Sequence, residues 1–168
     1  MENPIQQFWK IRLADLKTSL ESNNFEVYLA ENREQAANIV MKEIIPGTRP
    51  QRISWGGSKT FLETGLYDQL QASQQLEIID TYDKNLTPEA SYERRRQSLL
   101  VDLFFMGTNA VTESGQLVNL DMIGNRVGAL TFGPRHVVVM VGRNKLVQGI
   151  DEAMNRIKDY AADRKSVV

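Results

Sequence analysis

The chain has 168 residues, 42% of them hydrophobic and 24% charged, the make-up of one ordinary globular domain with enough apolar mass for a real core. A formal net charge of −1 argues against a polyanion partner, so no nucleic acid is expected, and no apolar run reaches membrane-spanning length, so no membrane insertion is expected either. With no cysteine and one histidine the chain offers no thiolates to an iron–sulfur cluster, a zinc site would have to rest on carboxylates, and no metal or cofactor is expected in it.

Residues 1–10 lack the basic-then-apolar plan of a secretory leader, and a cytoplasmic location is the default expectation. Pro4 stands where a first helical turn tolerates proline, and Ile5, Phe8, Leu13, Leu16 and Leu20 then recur at helical spacing until Asn23-Asn24. Phe25, Val27 and Leu29 alternate as on a short strand. Asn32 with Gln35 resembles a capping box for a helix with the apolar face Ala36, Ile39, Val40 and Ile44, which Pro46-Gly47 is expected to end. A strand over residues 52–55 runs directly into Gly56-Gly57-Ser58-Lys59-Thr60, followed by a helix carrying Leu62, Leu66 and Leu70.

Residues 76–80 read as another strand, and Thr87-Pro88 as the cap and first turn of a helix to about Leu99. Residues 103–106 are apolar enough for a buried strand. Residues 110–120 suggest a hairpin turning at Glu113-Ser114-Gly115, and the valine run 136–141 has the make-up of a central strand. Ile150, Ala153, Met154 and Ile157 mark a final helix. The alternation of strands and helices calls for an α/β fold: a three-layer, mainly parallel, Rossmann-like sheet with helices on both faces and a hairpin extension. Residues 1–162 read as one domain. Residues 163–168 have no pattern of their own and match one frame of translated read-through into a common sequencing adapter. They are expected to be a non-native or disordered tail, with the natural chain continuing past Ala162.

Two constellations carry polar chemistry. In Ser54-Trp55-Gly56-Gly57-Ser58-Lys59-Thr60 a strand passes through glycines and hydroxyls into a helix. Gly56 and Gly57 would let the backbone approach a phosphate or carboxylate, with Ser58 and Thr60 adding donors. An ordinary tight turn with a serine or threonine cap is the other reading, and the phosphate-loop spacing is absent. The second constellation joins Asn119, Asp121, Asn125 and Arg126. Arg126 would grip a small carboxylate in a bidentate fork, or pair with Asp121 to pin the loop. Lys145 is a further anion contact or an exposed lysine. His136 receives no role, and Arg94-Arg95-Arg96 with Glu89 and Glu93 reads as a solvated, partly paired face.

The run Gly107-Thr108-Asn109-Ala110-Val111-Thr112-Glu113-Ser114-Gly115, then Asn119-Leu120-Asp121, Gly124-Asn125-Arg126, Phe132-Gly133-Pro134 and Gly142-Arg143-Asn144-Lys145, taken with residues 54–60, resembles the signature set of the LUD (lactate-utilisation) family. The resemblance covers essentially residues 3–162. It implies the fold of the superfamily of ribose-phosphate isomerases, glucosamine-phosphate deaminases and CoA-transferases. It also implies a cytoplasmic part in oxidising L-lactate to pyruvate, beside partner subunits that carry iron–sulfur clusters, with little catalysis by the isolated chain. Many relatives bear cysteines in a C-terminal tail, so a cluster in a missing tail is part of the same expectation. The related CoA-transferases use a glutamate in a Ser-Glu-Asn-Gly turn as an acyl nucleophile, and Thr112-Glu113-Ser114-Gly115 is similar to it. Glu113 is thus either such a nucleophile or a polar hairpin residue. A stand-alone acyl-transferring or phosphosugar-handling enzyme, and a regulatory module that binds a carboxylate, remain the alternative functions.

Overall fold

A computed structural model describes residues 3–162, and the tail expected at residues 163–168 lies outside the described residues. In chain order the elements are α1 (Pro4–Ser22), α2 (Arg33–Ile39), a π turn (Val40–Ile44), α3 (Ile45–Thr48), β1 (Arg52–Trp55), α4 (Lys59–Glu63), α5 (Leu66–Gln71), β2 (Glu77–Ile79) and α6 (Pro88–Gln97). After a short 3-10 turn come β3 (Leu103–Gly107), β4 (Ala110–Thr112), β5 (Leu117–Val118), α7 (Asn125–Thr131), β6 (His136–Met140), β7 (Leu146–Val147) and α8 (Ile150–Arg156). They form two compact units, one of the described residues up to Leu29, Thr108–Leu120 and the described residues from Val141 on, the other of Ala30–Gly107 and Asp121–Met140.

The second unit holds a parallel sheet in the order β2-β1-β3-β6. Residues on β3 alternate between its two faces, as the two-residue period of a strand requires. Leu103 and Phe105 join Ile53, Trp55, Phe61, Leu66 and Leu70 on one side, where Ala37 and Val40 also pack. Phe104 and Met106 face Ile79, Val101 and Ala129 on the other. Both faces of β3 are therefore covered by helices, which is why it reads as an unbroken apolar run. This is the three-layer α/β arrangement anticipated from the alternation of elements.

In the first unit β4 pairs antiparallel with β5, making the expected hairpin, and parallel with β7 on its other edge. Leu16 of α1 packs with Val111 and Leu146, flanked by Trp9, Leu13 and Leu20, while Ala153 of α8 packs with Ala110 and Val147. Phe8 lies off this core and is 55% exposed.

Four local expectations are corrected. The alternation at Phe25, Val27 and Leu29 does not make a strand. Phe25 and Leu29 share a parity yet are both exposed, so that parity buries no face to specify pairing. The segment instead closes α1, with Asn24 left-handed at φ 64 and the Phe25 and Asn24 N–H groups donating to Leu20 O and Glu21 O. Pro46-Gly47 does not stop its helix. Pro46 has no N–H for the usual i−4 bond, and the π turn that precedes it lets the helix run on to Thr48, where left-handed Arg49 ends it. The helix expected through Leu62, Leu66 and Leu70 is broken at Gly65, φ 73, into α4 and α5. Finally β6 is an end strand of its sheet rather than a central one, which leaves His136 exposed and its valines half-buried.

Candidate functional site

The chain leaves β1 for β2 on one side of it and later reaches β3 on the other. The C-terminal ends of β1 and β3 therefore flank the point where strand order reverses, the usual crevice for ligands in open parallel sheets. Gly56 continues the β1–β3 ladder by donating its N–H to Phe105 O at 2.8 Å. Its missing side chain is needed for close approach. A Cβ there would stand 2.4 Å from Arg126 Cγ and 3.2 Å from Phe104 Cζ. Arg126 thus lays its stem across Gly56, with Nη1 at 3.4 Å from Gly57 O. Ser58 caps α4, its Oγ accepting the Phe61 N–H at 3.2 Å, and Thr60 lies in the first turn of that helix.

Asp121 and Arg126 form one unit at the start of α7. Asp121 Oδ2 accepts the N–H of Arg126 at 2.8 Å and of Val127 at 3.2 Å, while Oδ1 lies 3.4 Å from the Arg126 guanidinium. The left-handed Gly124 before the helix has no side chain to cap it, so Asp121 supplies the acceptor from further upstream. Asn125 opens the helix. The Asp121 side chain is 8% exposed and that of Arg126 17%. Burial by itself raises the Asp121 pKa, but the Val127 N–H, the Arg126 charge and the Arg126 N–H outweigh it and hold the carboxyl below its ordinary range.

Behind the loop lies an aromatic and acidic network that the sequence does not mark. The Asp80 carboxylate accepts from the Trp55 indole (3.0 Å), the Tyr82 N–H (2.8 Å), the Tyr67 hydroxyl (3.0 Å) and the Gln71 amide (2.8 Å). Tyr82 clamps the glycine loop, its hydroxyl donating to Gly56 O at 2.8 Å and accepting the Ser58 N–H at 3.1 Å. Burial pushes the Tyr82 phenol above its ordinary range, so it keeps the proton that this double role needs. Tyr82→Phe strands the Gly56 carbonyl and Ser58 N–H together and is expected to cost about 1–3 kcal/mol, read as a lower urea midpoint at unchanged slope.

The remaining residues singled out in the sequence belong to the first unit. Glu113 stands at the tip of the β4–β5 hairpin with its side chain 48% exposed. Its Oε1 accepts from Arg12 Nε at 2.9 Å and Nη2 at 2.7 Å, a pairing across 101 residues. The pair opens onto a groove of about 430 Å³ with Phe8, Ile11, Asp15 and Gln148. Asn119 and Asn109 brace the hairpin, Asn119 Oδ1 accepting the Asn109 N–H and Asn109 Oδ1 the Leu120 N–H. Half-buried Lys145 closes a 3-10 turn by donating its N–H to Gly142 O at 2.9 Å. The glycine loop, Asp121, Asn125 and Arg126 are thus gathered in one unit, and Glu113, Asn119 and Lys145 in the other.

A mainly parallel sheet covered on both faces, with a glycine loop and a carboxylate-clasped arginine at its switch point, defines an α/β protein of the Rossmann-like class. The LUD domain model matches residues 13–167, and the chain belongs to that lactate-utilisation-related family. Comparison with curated proteins gave no match, and comparison with solved structures gave none. Among the described residues no helix is long and apolar enough to cross a membrane.

Proposed function

We propose that this chain is a cytoplasmic subunit of a system that oxidises L-lactate to pyruvate together with iron–sulfur partner subunits. The observation that carries the reading is the LUD-domain match over residues 13–167. The chain's own donors do not fit a cluster. It has no cysteine, and no three His, Cys, Asp or Glu side chains among the described residues are grouped to hold a metal ion. Electron transfer is therefore assigned to the partners. This chain's part is to hold a small carboxylate at the glycine loop, where Arg126 is the cation and Asp121 its resident counter-ion. The test is a pull-down from the natural host grown on lactate. Iron–sulfur subunits should come with the chain, and lactate-dependent dye reduction should occur only in the complex. Recovery of the chain alone overturns the proposal.

A second reading, acyl transfer by Glu113, is favoured by one observation, the exposed hairpin tip beside an open groove. The carboxylate would attack a thioester carbonyl, expel the thiolate and leave an acyl anhydride on Glu113. Arg12 stands against it, because its guanidinium holds Glu113 Oε1 through both Nε and Nη2 and draws charge from the carboxylate that would attack. Glu113→Gln decides the matter: it abolishes thioester exchange if Glu113 is the nucleophile, and unchanged exchange ends this reading.

A further inference from the structure

At the N-terminal edge of the parallel sheet, opposite the glycine loop, the chain enters β1, β3 and β6 through Gln51, Asp102 and His136. These three residues, with Thr48, Arg49 and Arg135, line a concavity of about 220 Å³. Its one carboxylate is tied down. Asp102 Oδ2 accepts the Gln51 N–H at 3.0 Å and the Arg52 N–H at 2.9 Å, and Arg135 Nε reaches Oδ1 only at 3.6 Å. Those backbone N–H groups, Arg52's foremost, keep the carboxyl below its ordinary pKa range, so it is a fixed charge at neutral pH. Arg135 is 81% exposed, which makes its pairing with Asp102 loose.

Arg49 is the less expected member. It ends α3 in the left-handed region at φ 46, where glycine or asparagine would sit with less strain. Its side chain and that of His136 make no hydrogen bond or ion pair among the described residues. Two arginines, Arg49 and Arg135, line the concavity with one immobilised carboxylate, which leaves a positive excess before His136 is counted.

We propose that this concavity binds a phosphate oxyanion, free or at the end of a small ester, between the Arg49 and Arg135 guanidiniums, with His136 and Thr48 as further donors. Guanidinium forks suit the several oxygens of a phosphate better than the two of a lone carboxylate, and a dianion answers two cations at once. The site lies at the other edge of the sheet from the glycine loop and does not depend on the lactate reading.

The chain's single histidine gives an isolated imidazole signal for the test. Inorganic phosphate and glycerol phosphate are titrated separately into the full chain at constant ionic strength, followed by NMR. A saturable shift of the His136 signal is expected, and the tighter of the two probes tells free ion from ester. Arg135→Gln and Arg49→Gly should each weaken binding roughly tenfold, the loss of one charge-assisted contact. Arg49→Gly also relieves the left-handed backbone, so its folding is not in question. Absence of a saturable shift, equal affinity in the double variant, or shifts confined to the Gly56, Gly57 and Ser58 amides overturns the proposal.

Discussion

Replacing Gly56 with alanine is expected to destabilise the fold by about 2–4 kcal/mol, although the backbone there suits any residue. The cause is occupancy. The new Cβ would stand 2.4 Å from Arg126 Cγ, 3.1 Å from its Cδ and 3.2 Å from Phe104 Cζ. Phe104 is fully buried and has no room to give. Arg126 must therefore swing away, abandoning Gly57 O and loosening its hold on Asp121. Urea unfolding reads the loss as a lower midpoint at unchanged slope. A double-mutant cycle tests the cause. In an Arg126→Ala background the same glycine change should cost less than about 1 kcal/mol, because only the milder Phe104 contact remains. Equal costs in both backgrounds would show that Arg126 is not what the methyl group meets.

That close approach also marks the limit of what the residues reveal when read along the chain. Gly56-Gly57-Ser58 announces a strand-to-helix turn with a serine cap, and Ser58 does cap α4, because such signals act over three residues. What no spacing rule supplies is the reason Gly56 has to be glycine, since Arg126 lies 70 residues on. The Asp80 network was equally hidden. Its donors come from β1 (Trp55), from α5 (Tyr67 and Gln71) and from the loop after β2 (Tyr82), and a lone aspartate at a strand end carries no pattern. The bonding of Arg12 to Glu113 is of the same kind, built by tertiary packing of α1 against a hairpin.

Where expectation and structure part over secondary structure, a competing local force is identifiable. Alternation at Phe25, Val27 and Leu29 describes an extended chain without supplying a partner edge, so no strand forms. The valine run of β6 suits burial on both faces, but the strand order places it at the end of its sheet. Pro46 breaks one helical hydrogen bond, and widening the preceding turn absorbs the break more cheaply than ending the helix. The parallel sheet itself was legible because strands alternate with helical segments and β3 is a short apolar run, a composition that burial on both faces favours.

Asp121→Ala is expected to be the most damaging single loss of charge, about 3–5 kcal/mol, because it leaves Arg126 largely buried without its carboxylate. It also removes the acceptor for the first N–H groups of α7, those of Arg126 and Val127. Asp121→Asn keeps an oxygen in place and should cost less, about 1–2 kcal/mol. The same residue makes stability depend on pH, with a definite sign. A carboxyl whose folded pKa lies below its unfolded value contributes stability that is complete above the unfolded pKa, about 4, and is lost as pH falls through the folded value. Asp121 has that depressed pKa, and so has Asp102 at the other edge of the sheet. Between neutral pH and about 5 neither group changes protonation, so stability should hardly move on their account. Below about 4 the wild type should weaken steeply, Asp121→Asn less so, and the Asp102→Asn/Asp121→Asn pair least. Urea midpoints followed from neutral to strongly acid pH give the comparison. Parallel acid limbs for wild type and Asp121→Asn would mean that the Asp121 carboxylate is not held by Val127 and Arg126 in solution, and the clasp at the start of α7 would have to be abandoned.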